Sequence, residues 1–422
     1  MPDSPTATEQ NPASPERVGV LVVGAGPAGT AAALTFAEAG RLVTVIDRAV
    51  FPRDKCCGDG LTTLALRELE TLGLSPSAVP NWMTVDSAHL RTPSGRAFDI
   101  PLPSQGTYAA VAPRADLDNT LVEMAISAGA DIRQGWRLES ITQTATEARV
   151  VVVDPGETPR TLVADHVIAA DGMWSPTRRL LGCTPDGYRG EWNAFRQYVS
   201  NVTGPAADRL IVWFEPDLLP GYAWSFPLPG GRANIGFGVL REHQRRGRDM
   251  AGLWRDLLSR DHIQDALGEG HRLEDRHTAW PIPARVDEMR LSAARVLFTG
   301  DAAAATDVMT GEGIGQALLT GRLAAEAILE PSTSGVAETY EHHVRSHLFA
   351  DHRMSRRLGR VLASRRGAEL ALRTVEKSGS WGRAKFARWM FEDEPRALML
   401  TPSRWHRRML RREGAWSDST AA

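Results

Sequence analysis

The chain contains 422 residues, a length that suits two or three structural units, and its formal net charge is −2. A charge so close to zero gives the whole molecule no electrostatic preference for nucleic acid, so we expect no nucleic-acid partner. No apolar run approaches the roughly 18–20 residues needed to cross a bilayer, so we expect no membrane-spanning helix.

The first seventeen residues are polar, rich in Pro, Ser and Thr, and lack the apolar core of a signal peptide. We therefore interpret residues 1–17 as a disordered tail. The three cysteines, Cys56, Cys57 and Cys183, show neither CxxC nor metal-ligand spacing. This pattern predicts reduced thiols, no metal centre and a cytoplasmic location.

The chain then opens with the pattern of a βαβ unit. Val18–Val23 is a continuous apolar run, typical of a parallel strand buried on both faces, Ala28–Ala39 is Ala-rich and helical, and Leu42–Asp47 is a second buried strand. Strand, helix and strand within about thirty residues form one such unit. Further elements are predicted as helices at Leu61–Leu72 and Leu117–Ser127, and as strands near Asp131, at Glu147–Val153 and at Thr161–Ala169.

The pattern changes after Trp192. Short alternating runs at Leu210–Phe214, Tyr222–Phe226 and Ala233–Val239, separated by Gly and Pro, predict antiparallel sheet. A buried parallel strand returns at Arg295–Thr299, a helix follows at Gly313–Leu329, and the chain after about Val336 is predicted to be helical.

A glycine-rich turn follows the first strand directly, with the sequence Gly24-Ala25-Gly26-Pro27-Ala28-Gly29. In this pattern the first glycine permits a tight turn, the second lets the backbone approach a pyrophosphate, and the third allows close helix–strand packing. The N-terminus of the helix, which includes Ala28, then faces the phosphates with free N–H groups. Asp47, beside Arg48 at the end of the second strand, can accept hydrogen bonds from a ribose. These features predict dinucleotide binding.

Two more strand ends carry acidic turns. Asp171-Gly172 closes the strand that contains Val167, and Gly300-Asp301 closes the strand that contains Val296. The second of these leads to Thr310-Gly311-Glu312-Gly313, at the start of a helix. Either turn alone is equally typical of an ordinary strand end with a capping Asp, but three such motifs in this order are much more specific.

The three motifs resemble the FAD fingerprint of the p-hydroxybenzoate-hydroxylase-like flavoproteins. A narrower resemblance lies in residues 51–60, FPRDKCCGDG, which are similar to the PRxKxCGxG segment of the geranylgeranyl reductase family. Residues 220–227, PGYAWSFP, followed by Gly236 and Gly238, resemble that family's YxWxFP…GxG segment. Val308, where Pro is frequent, and Cys56, where a small residue is usual, depart from the family pattern.

The resemblance implies an α/β fold with a discontinuous Rossmann-type FAD-binding domain (18–83, 106–186 and 284–335). It also implies an inserted antiparallel β-rich substrate domain (84–105 and 187–283) and a C-terminal helical region (336–422). By position it assigns further residues to FAD, namely Arg114, Asp171, Gly172, Gly300, Asp301, Gly311, Gly313 and Ile314. A helix N-terminus at residues 310–313 would stabilise negative charge on a reduced flavin.

The same resemblance predicts an FAD-dependent reductase of carbon–carbon double bonds in a prenyl group, with hydride from flavin N5. Cys57 and Tyr222 are the catalytic candidates, although an ordered water is an equal candidate for the proton relay. Substrate contacts are predicted for Lys55, Gly58, Trp224 and Phe226. Core packing is a close alternative for the aromatic residues, as is a small buried residue for Cys57.

Several alternatives stay open at this level. The scaffold also suits an FAD-dependent monooxygenase or halogenase of aromatic substrates, and a quinone-linked flavoprotein or a non-enzymatic FAD scaffold is a weaker candidate. No second GxGxxG appears, so the electron donor is either NAD(P)H bound transiently or a redox protein.

The C-terminal part of the chain is basic, with seventeen Lys and Arg against six Asp and Glu between residues 351 and 412. Basic and aromatic residues together suit a lipid interface, which predicts peripheral contact with the inner face of the membrane. A solvated helical surface packed on the main domain is an equal alternative. The residues concerned are Arg353, Arg356, Arg357, Arg360, Trp381, Arg383, Lys385, Phe386, Arg388, Trp389 and Phe391.

Overall fold

The computed structural model describes residues 14–241, 250–331, 335–393, 395–398, 401–402, 405 and 412–417. The strands are β1 (Glu16–Val23), β2 (Thr44–Asp47), β3 (Gly60–Leu61), β4 (Met83–Thr84), β5 (Ser87–Arg91), β6 (Ala97–Pro101), β7 (Ala110–Val111), β8 (Asp131–Gln134), β9 (Arg137–Gln143), β10 (Ala148–Val153), β11 (Pro159–Ala169), β12 (Trp192–Ser200), β13 (Leu210–Trp213), β14 (Tyr222–Leu228), β15 (Arg232–Leu240), β16 (Arg272–Ile282), β17 (Ser292–Ala293) and β18 (Val296–Phe298). The α-helices are α1 (Pro27–Glu38), α2 (Thr63–Thr71), α3 (Arg114–Ser127), α4 (Pro176–Leu180), α5 (Met250–Leu258), α6 (Asp261–Leu267), α7 (Ile314–Leu329), α8 (Val336–Val344), α9 (Ala350–Leu362), α10 (Arg365–Lys377) and α11 (Gly379–Met390).

The first sheet is built around β1, which pairs in parallel with β2 on one side and with β11 on the other. β8 extends this sheet beyond β2, and β18 extends it beyond β11, again in parallel. Helix α1 packs against β1 and β2, so these strands are apolar runs. Strands β9 and β10 continue the sheet in antiparallel pairing. The βαβ prediction is confirmed.

The first strand begins earlier than the sequence pattern indicated. Glu16 and Arg17, which we assigned to the disordered tail, pair with Leu162 and Val163 of β11. Arg17 also forms an ion pair with Asp165 at 2.5 Å, so backbone pairing and charge hold these two polar residues at the edge of the strand. Residues 1–13 of the predicted tail lie outside the described residues.

The second sheet has the order β16-β12-β15-β14-β13-β5-β6, and it is antiparallel except between β13 and β5. Its two faces are covered differently. Helices α5 and α6 pack on the face that carries Phe237, whereas α10 and α11 contribute Leu372 and Ala387 to the face that carries Trp224 and Phe226. Successive side chains along a strand point to opposite faces, so the same strands can bury apolar residues under helices on both sides of the sheet. The predicted α/β architecture with an inserted antiparallel sheet is therefore confirmed.

The C-terminal region packs back on the body of the protein. A π-helical stretch (Arg345–Phe349) joins α8 to α9, and α10 and α11 follow. Residues 412–417 were predicted to be helical, but they run as a non-helical segment in which Ala415 bridges Thr107 and the Trp416 amide donates to Glu70. None of the described helices has both the length and the apolar content to cross a bilayer.

Candidate active site

A large cavity opens at the carboxyl ends of β1, β2 and β11, where the predicted nucleotide motifs meet. Its volume is about 730 Å³, within the range of cofactor sites. The predicted cofactor residues that line it are Gly24, Gly26, Ala28, Asp47, Arg48, Arg114, Asp171, Gly172, Gly300 and Asp301. Separate parts of the chain thus converge on one cavity of suitable size.

The three glycines of the first turn have different surroundings. A Cβ atom at Gly24, which has a φ of +106°, would lie 2.3 Å from the Ala170 carbonyl oxygen, and one at Gly29 would lie 1.8 Å from the Gly24 oxygen. At Gly26 the nearest atom would be a guanidinium nitrogen of Arg53, at 3.5 Å. Gly24 and Gly29 therefore allow backbone packing, while Gly26 leaves open a cradle of the kind that a pyrophosphate requires. The residues present fit FAD.

Two predicted acidic residues bind backbone groups at the rim of this cavity. Asp47 accepts hydrogen bonds from the amides of Ala25 (2.7 Å) and Ala49 (2.8 Å), so it orders the glycine turn. Asp171 accepts from Ser175 Oγ (2.5 Å) and from the Thr177 amide (2.9 Å) at the start of α4. Burial raises the pKa of Asp171. Both carboxylates thus shape the cavity wall.

Ion pairs fix the opposite wall. Arg114 is buried and donates two hydrogen bonds to Asp118, at 2.8 and 2.7 Å, while Arg53 forms an ion pair with the same carboxylate at 3.0 Å. Lys55 lies 3.1 Å from Asp301. We predicted Lys55 as a substrate contact, but the structure places it in the larger cavity, because its ammonium reaches the carboxylate that follows β18.

The loop of residues 51–60 is tied to the second sheet through Asp59, which the sequence analysis did not single out. Its carboxylate accepts hydrogen bonds from Tyr198 Oη and Asn234 Nδ2, both at 2.7 Å. Burial raises the pKa of Asp59 to about 6. The Asn234 amide also donates to the Cys57 carbonyl (2.8 Å), so one buried network positions this loop.

The two cysteines of this loop occupy different surroundings. Cys56 lines the larger cavity, whereas Cys57 packs against the hydrophobic core of the first sheet and lines neither of the two cavities described here. Burial raises the pKa of the Cys57 thiol to about 11. The Asp59 amide donates to Cys57 Sγ at 3.4 Å. Cys57 is therefore a neutral thiol at physiological pH.

Tyr222, Trp224 and Phe226 form a row of aromatic residues on one face of β14. Ring centroids are 6.0 Å apart between Tyr222 and Trp224 and again between Trp224 and Phe226. A Cβ atom at Gly58 would lie 3.3 Å from Phe226, and one at Gly236 would lie 2.4 Å from Trp224. The glycines of both family segments thus let the aromatic row pack between the loop and strand β15.

A second, smaller cavity of about 200 Å³ lies beside this row. Phe226 and Tyr222 form part of one wall, and α9, α10 and α11 form the other. The same loop borders both cavities, because Lys55 and Cys56 line the larger one and Gly60 lines the smaller. The lining of the smaller cavity is almost entirely apolar and includes Leu61, Leu210, Val212, Phe214, Met309, Leu358, Leu362, Leu372, Phe386, Trp389 and Phe391.

The turn before α7 lies beside the aromatic row and contributes to the wall of the smaller cavity. Asp307 accepts hydrogen bonds from the Thr310 amide and hydroxyl, both at 2.8 Å, and Tyr222 Oη donates to the Thr310 carbonyl. The Val308 carbonyl accepts from Trp192 Nε1 (3.0 Å), so the loop is anchored without the usual proline. Tyr222 was predicted as a catalytic group, and its proton is engaged in holding this turn.

The remaining predicted glycines serve the packing of α7. Gly300, with a φ of +55°, lies where a Cβ atom would meet Ala28 and Ala317 at 3.3 Å each. Gly311 has a φ of +74°, and a Cβ atom at Gly313 would lie 2.9 Å from Thr306 Oγ1. Ile314 is the buried first residue of α7. The turn thus presents backbone groups at a helix N-terminus, as its pattern predicted.

The C-terminal region reaches this turn with charged groups that sequence patterns did not reveal. Arg396 forms a buried ion pair with Asp307 and lies 3.4 Å from Glu392. Glu392 accepts hydrogen bonds from Thr62 (2.9 Å) and Gln316 (3.0 Å). Burial raises the pKa of Glu392 to about 7.

The predicted basic and aromatic face is divided between the interior and the surface. Phe386, Trp389 and Phe391 line the smaller cavity because α11 packs on the second sheet, whereas Trp381 is 73% exposed. Arg356 forms an ion pair with Asp287 at 2.8 Å. Most of the aromatic residues therefore face inward, as the packed alternative implies.

Comparison with known proteins supports the cofactor assignment. Residues 17–347 match a family described as FAD binding domain. Over 362 residues the chain is 33% identical to the menaquinone reductase of Mycolicibacterium smegmatis, covering 82% of this chain and 85% of that protein. It is also 32% identical to digeranylgeranylglycerophospholipid reductase 2 of Methanopyrus kandleri, covering 75% of this chain and 78% of the relative.

A solved structure shares the fold. A geranylgeranyl bacteriochlorophyll reductase-like protein from Thermoplasma acidophilum superposes with a TM-score of 0.76 at 21% identity. The match covers 92% of this chain and 99% of the other. The arrangement of the two sheets and the C-terminal helices is therefore one that this known structure shares.

Proposed function

The chain belongs to the geranylgeranyl reductase family of FAD-dependent oxidoreductases, as its motifs indicated, and we propose that it reduces carbon–carbon double bonds in a prenyl group. The substrate class is a prenylated quinone or a geranylgeranyl-type lipid, because relatives above 30% identity carry the names menaquinone reductase and digeranylgeranylglycerophospholipid reductase.

The observation that carries this proposal is the apolar cavity beside the FAD cavity. A prenyl chain has no polar atoms, so it is stabilised by burial against apolar walls of the kind that Phe226, Leu372 and Phe386 provide. The loop of residues 51–60 borders both cavities, which supports an arrangement in which an alkene bound in the smaller cavity lies close to a flavin ring bound in the larger one.

Reduced FAD, when bound, supplies a hydride from N5. The chain's own residues bind and orient the reactants. Gly26 leaves room for the pyrophosphate, and Tyr222 holds the turn at residues 310–313, where the N-terminus of α7 favours negative charge. The aromatic row and helices α9–α11 exclude water from the reaction. The electron donor in this proposal is NAD(P)H or a redox protein.

Cys57 remains a catalytic candidate in this proposal, as a neutral thiol in the loop that borders both cavities, although its side chain lines neither of them. Its high pKa does not suit a thiolate nucleophile. Cys56, which lines the FAD cavity, is the matched residue for comparison. If the proposal holds, Cys57→Ala keeps FAD and loses turnover, while Cys56→Ala loses less.

We further propose that the outer face of α9–α11 docks on an anionic membrane surface, at the inner face of the membrane. Val361, which is 54% exposed, also lines the apolar cavity, and Leu370 and Trp381 are 69% and 73% exposed on the neighbouring helices. Arg357 and Arg360 are exposed on α9 and precede Val361 in sequence, so their charge would complement anionic lipid headgroups. A lipid substrate would then enter the cavity directly from the membrane.

The experiment that identifies the substrate compares whole-cell lipids and quinones with and without the gene, by untargeted mass spectrometry. The proposal predicts prenyl species that carry two additional hydrogen atoms only when the gene is present. Unchanged prenyl saturation, with a changed hydroxylation or halogenation of aromatic compounds, would contradict it.

A further inference from the structure

Glu312 has surroundings unlike those of the other carboxylates in the turn before α7. It lines the smaller cavity together with Val212, Phe226 and Met309, which are apolar. Within the part of the chain that the structure describes, its carboxyl group takes part in no hydrogen bond or ion pair, whereas Asp307 in the same turn accepts several hydrogen bonds. Glu312 thus presents an acid group that the fold itself does not use.

Reduction of an isolated alkene needs a proton as well as a hydride. Such an alkene is a poor hydride acceptor, so positive charge must build on one carbon as the other is protonated. The two residues first considered for this role are poorly suited. Tyr222 Oη donates its hydrogen to the Thr310 carbonyl, and Cys57 lines neither described cavity and has a thiol pKa of about 11.

We infer, on the basis of the function proposed above, that the carboxylic acid of Glu312 is the proton donor to the alkene. The Oε–H bond of Glu312 breaks as a C–H bond forms at the less substituted alkene carbon, using the π electrons of the double bond. The other carbon receives the hydride supplied by reduced flavin, whose two electrons leave the flavin oxidised. Glu312 ends as a carboxylate and regains its proton from solvent.

Burial, together with the carboxylates of Glu392 and Asp307, raises the pKa of Glu312 to about 8. The acid therefore carries its proton at neutral pH, which a general acid requires. The charged and titratable groups that act on it come from several neighbouring elements and are Cys57 in the loop, Tyr222 in β14, Asp307 in its own turn, and Glu392 and Arg396 after α11.

The test compares Glu312→Gln, which keeps the shape and removes the acid, with Glu312→Asp, which keeps a shorter acid. Glu338→Gln, on the exposed side of α8, is the matched control. We expect alkene reduction by Glu312→Gln to be at least about 100-fold slower, with partial activity in Glu312→Asp and full activity in Glu338→Gln. FAD content, the visible flavin spectrum and flavin reduction by dithionite should match the wild type in all three.

A second readout does not depend on turnover. The infrared difference spectrum between the wild type and Glu312→Gln at pH 7 should contain the carbonyl band of one buried protonated carboxylic acid, separate from any contribution of Glu392, which both proteins share. Because the folded state keeps a proton that the unfolded state loses, Glu312 stabilises the fold fully below about pH 4.5 and progressively less as the pH rises through about 8. The free energy of unfolding should therefore fall less over this pH range in Glu312→Gln.

The outcomes separate the two claims. If the wild type reduces prenyl double bonds and Glu312→Gln does so at a similar rate, the assignment of Glu312 is wrong and the proposed function stands. An infrared difference spectrum that shows no loss of a protonated carboxylic acid in Glu312→Gln also overturns the assignment. If the wild type itself does not reduce prenyl double bonds, the proposed function fails first.

Discussion

Arg396, which follows α11, forms a buried ion pair with Asp307, and the two side chains are only 3% and 5% exposed. Asp307 also accepts hydrogen bonds from the Thr310 turn, and Ser355 of α9 donates to it at 2.8 Å. The helices that wall the apolar cavity are thereby connected to the turn expected beside the flavin. The packing of the C-terminal region and the geometry of that turn therefore depend on the same contacts.

This connection leads to a prediction on Arg396→Met. Removal of the guanidinium leaves Asp307 and Glu392 buried without their cation, so we expect unfolding to become easier by about 3–5 kcal/mol. Arg345→Met is the control, because its ion pair with Glu341 is 60% exposed on the arginine side and should contribute less than about 1 kcal/mol. Chemical denaturation measures both, and equal effects would contradict the account.

The glycine turn supplies a second prediction. Gly26→Val should fold and lose FAD, because its side chain enters the cradle and meets only the end of Arg53. Gly29→Val should fail to fold, because its Cβ atom would lie 1.8 Å from a backbone oxygen. Circular dichroism measures folding, and the FAD released on denaturation measures binding. A yellow Gly26→Val protein with full FAD content would show that the cradle is misplaced.

A third prediction concerns the aromatic row. Gly236→Ala should destabilise the protein by at least about 1–3 kcal/mol, because the added methyl group would overlap Trp224 and the Phe195 carbonyl. Gly359→Ala, in a helix and with open space around it, should instead stabilise by roughly 0.5–1 kcal/mol. Thermal denaturation distinguishes them. A neutral Gly236→Ala would contradict this explanation of why glycine stands at position 236.

The membrane proposal predicts sedimentation of the protein with vesicles that contain phosphatidylglycerol at low salt, and its release at high salt. Leu370→Glu should weaken this binding because it places a negative charge on the exposed side of α10, which the proposal puts against anionic lipid headgroups. Leu42→Glu, at a leucine that is 86% exposed outside the C-terminal region, should not. If the wild type does not bind these vesicles at low salt, or if the two variants have equal effects, the proposal that α9–α11 dock on the membrane is wrong.

Much of the fold was accessible from the sequence because its strong patterns have local causes. Buried parallel strands such as Val18–Val23 must be apolar on both faces, and the glycines at 24 and 29 are required by backbone contacts below 3 Å. Strand β16 has no such pattern. Its sequence RLEDRHTAWPI is mostly polar, and pairing with β12 keeps it extended. Only tertiary structure could reveal it.

The candidate site was predictable in part for the same reason. Backbone motifs indicated the FAD cavity, but side-chain roles depended on contacts between distant segments. Glu312 lay within a recognised turn and was considered only for its backbone, and Arg396 lay in a segment with no motif. For the aromatic residues of this region, composition left a lipid-facing surface and packing on the main domain as equal alternatives. Packing on the second sheet turns Phe386 and Trp389 of α11, and Phe391 just after it, toward the cavity, which composition alone cannot indicate.

The central claim is that the enzyme adds hydrogen and not oxygen to its substrate. The most direct measurement is a strictly anaerobic incubation of dithionite-reduced enzyme with a prenylquinone or a geranylgeranyl lipid, read by mass spectrometry. The account predicts a product that has gained two hydrogen atoms, formed without O₂ as flavin is reoxidised. A product that forms only when O₂ is admitted and that carries a new oxygen atom would contradict it and identify a monooxygenase.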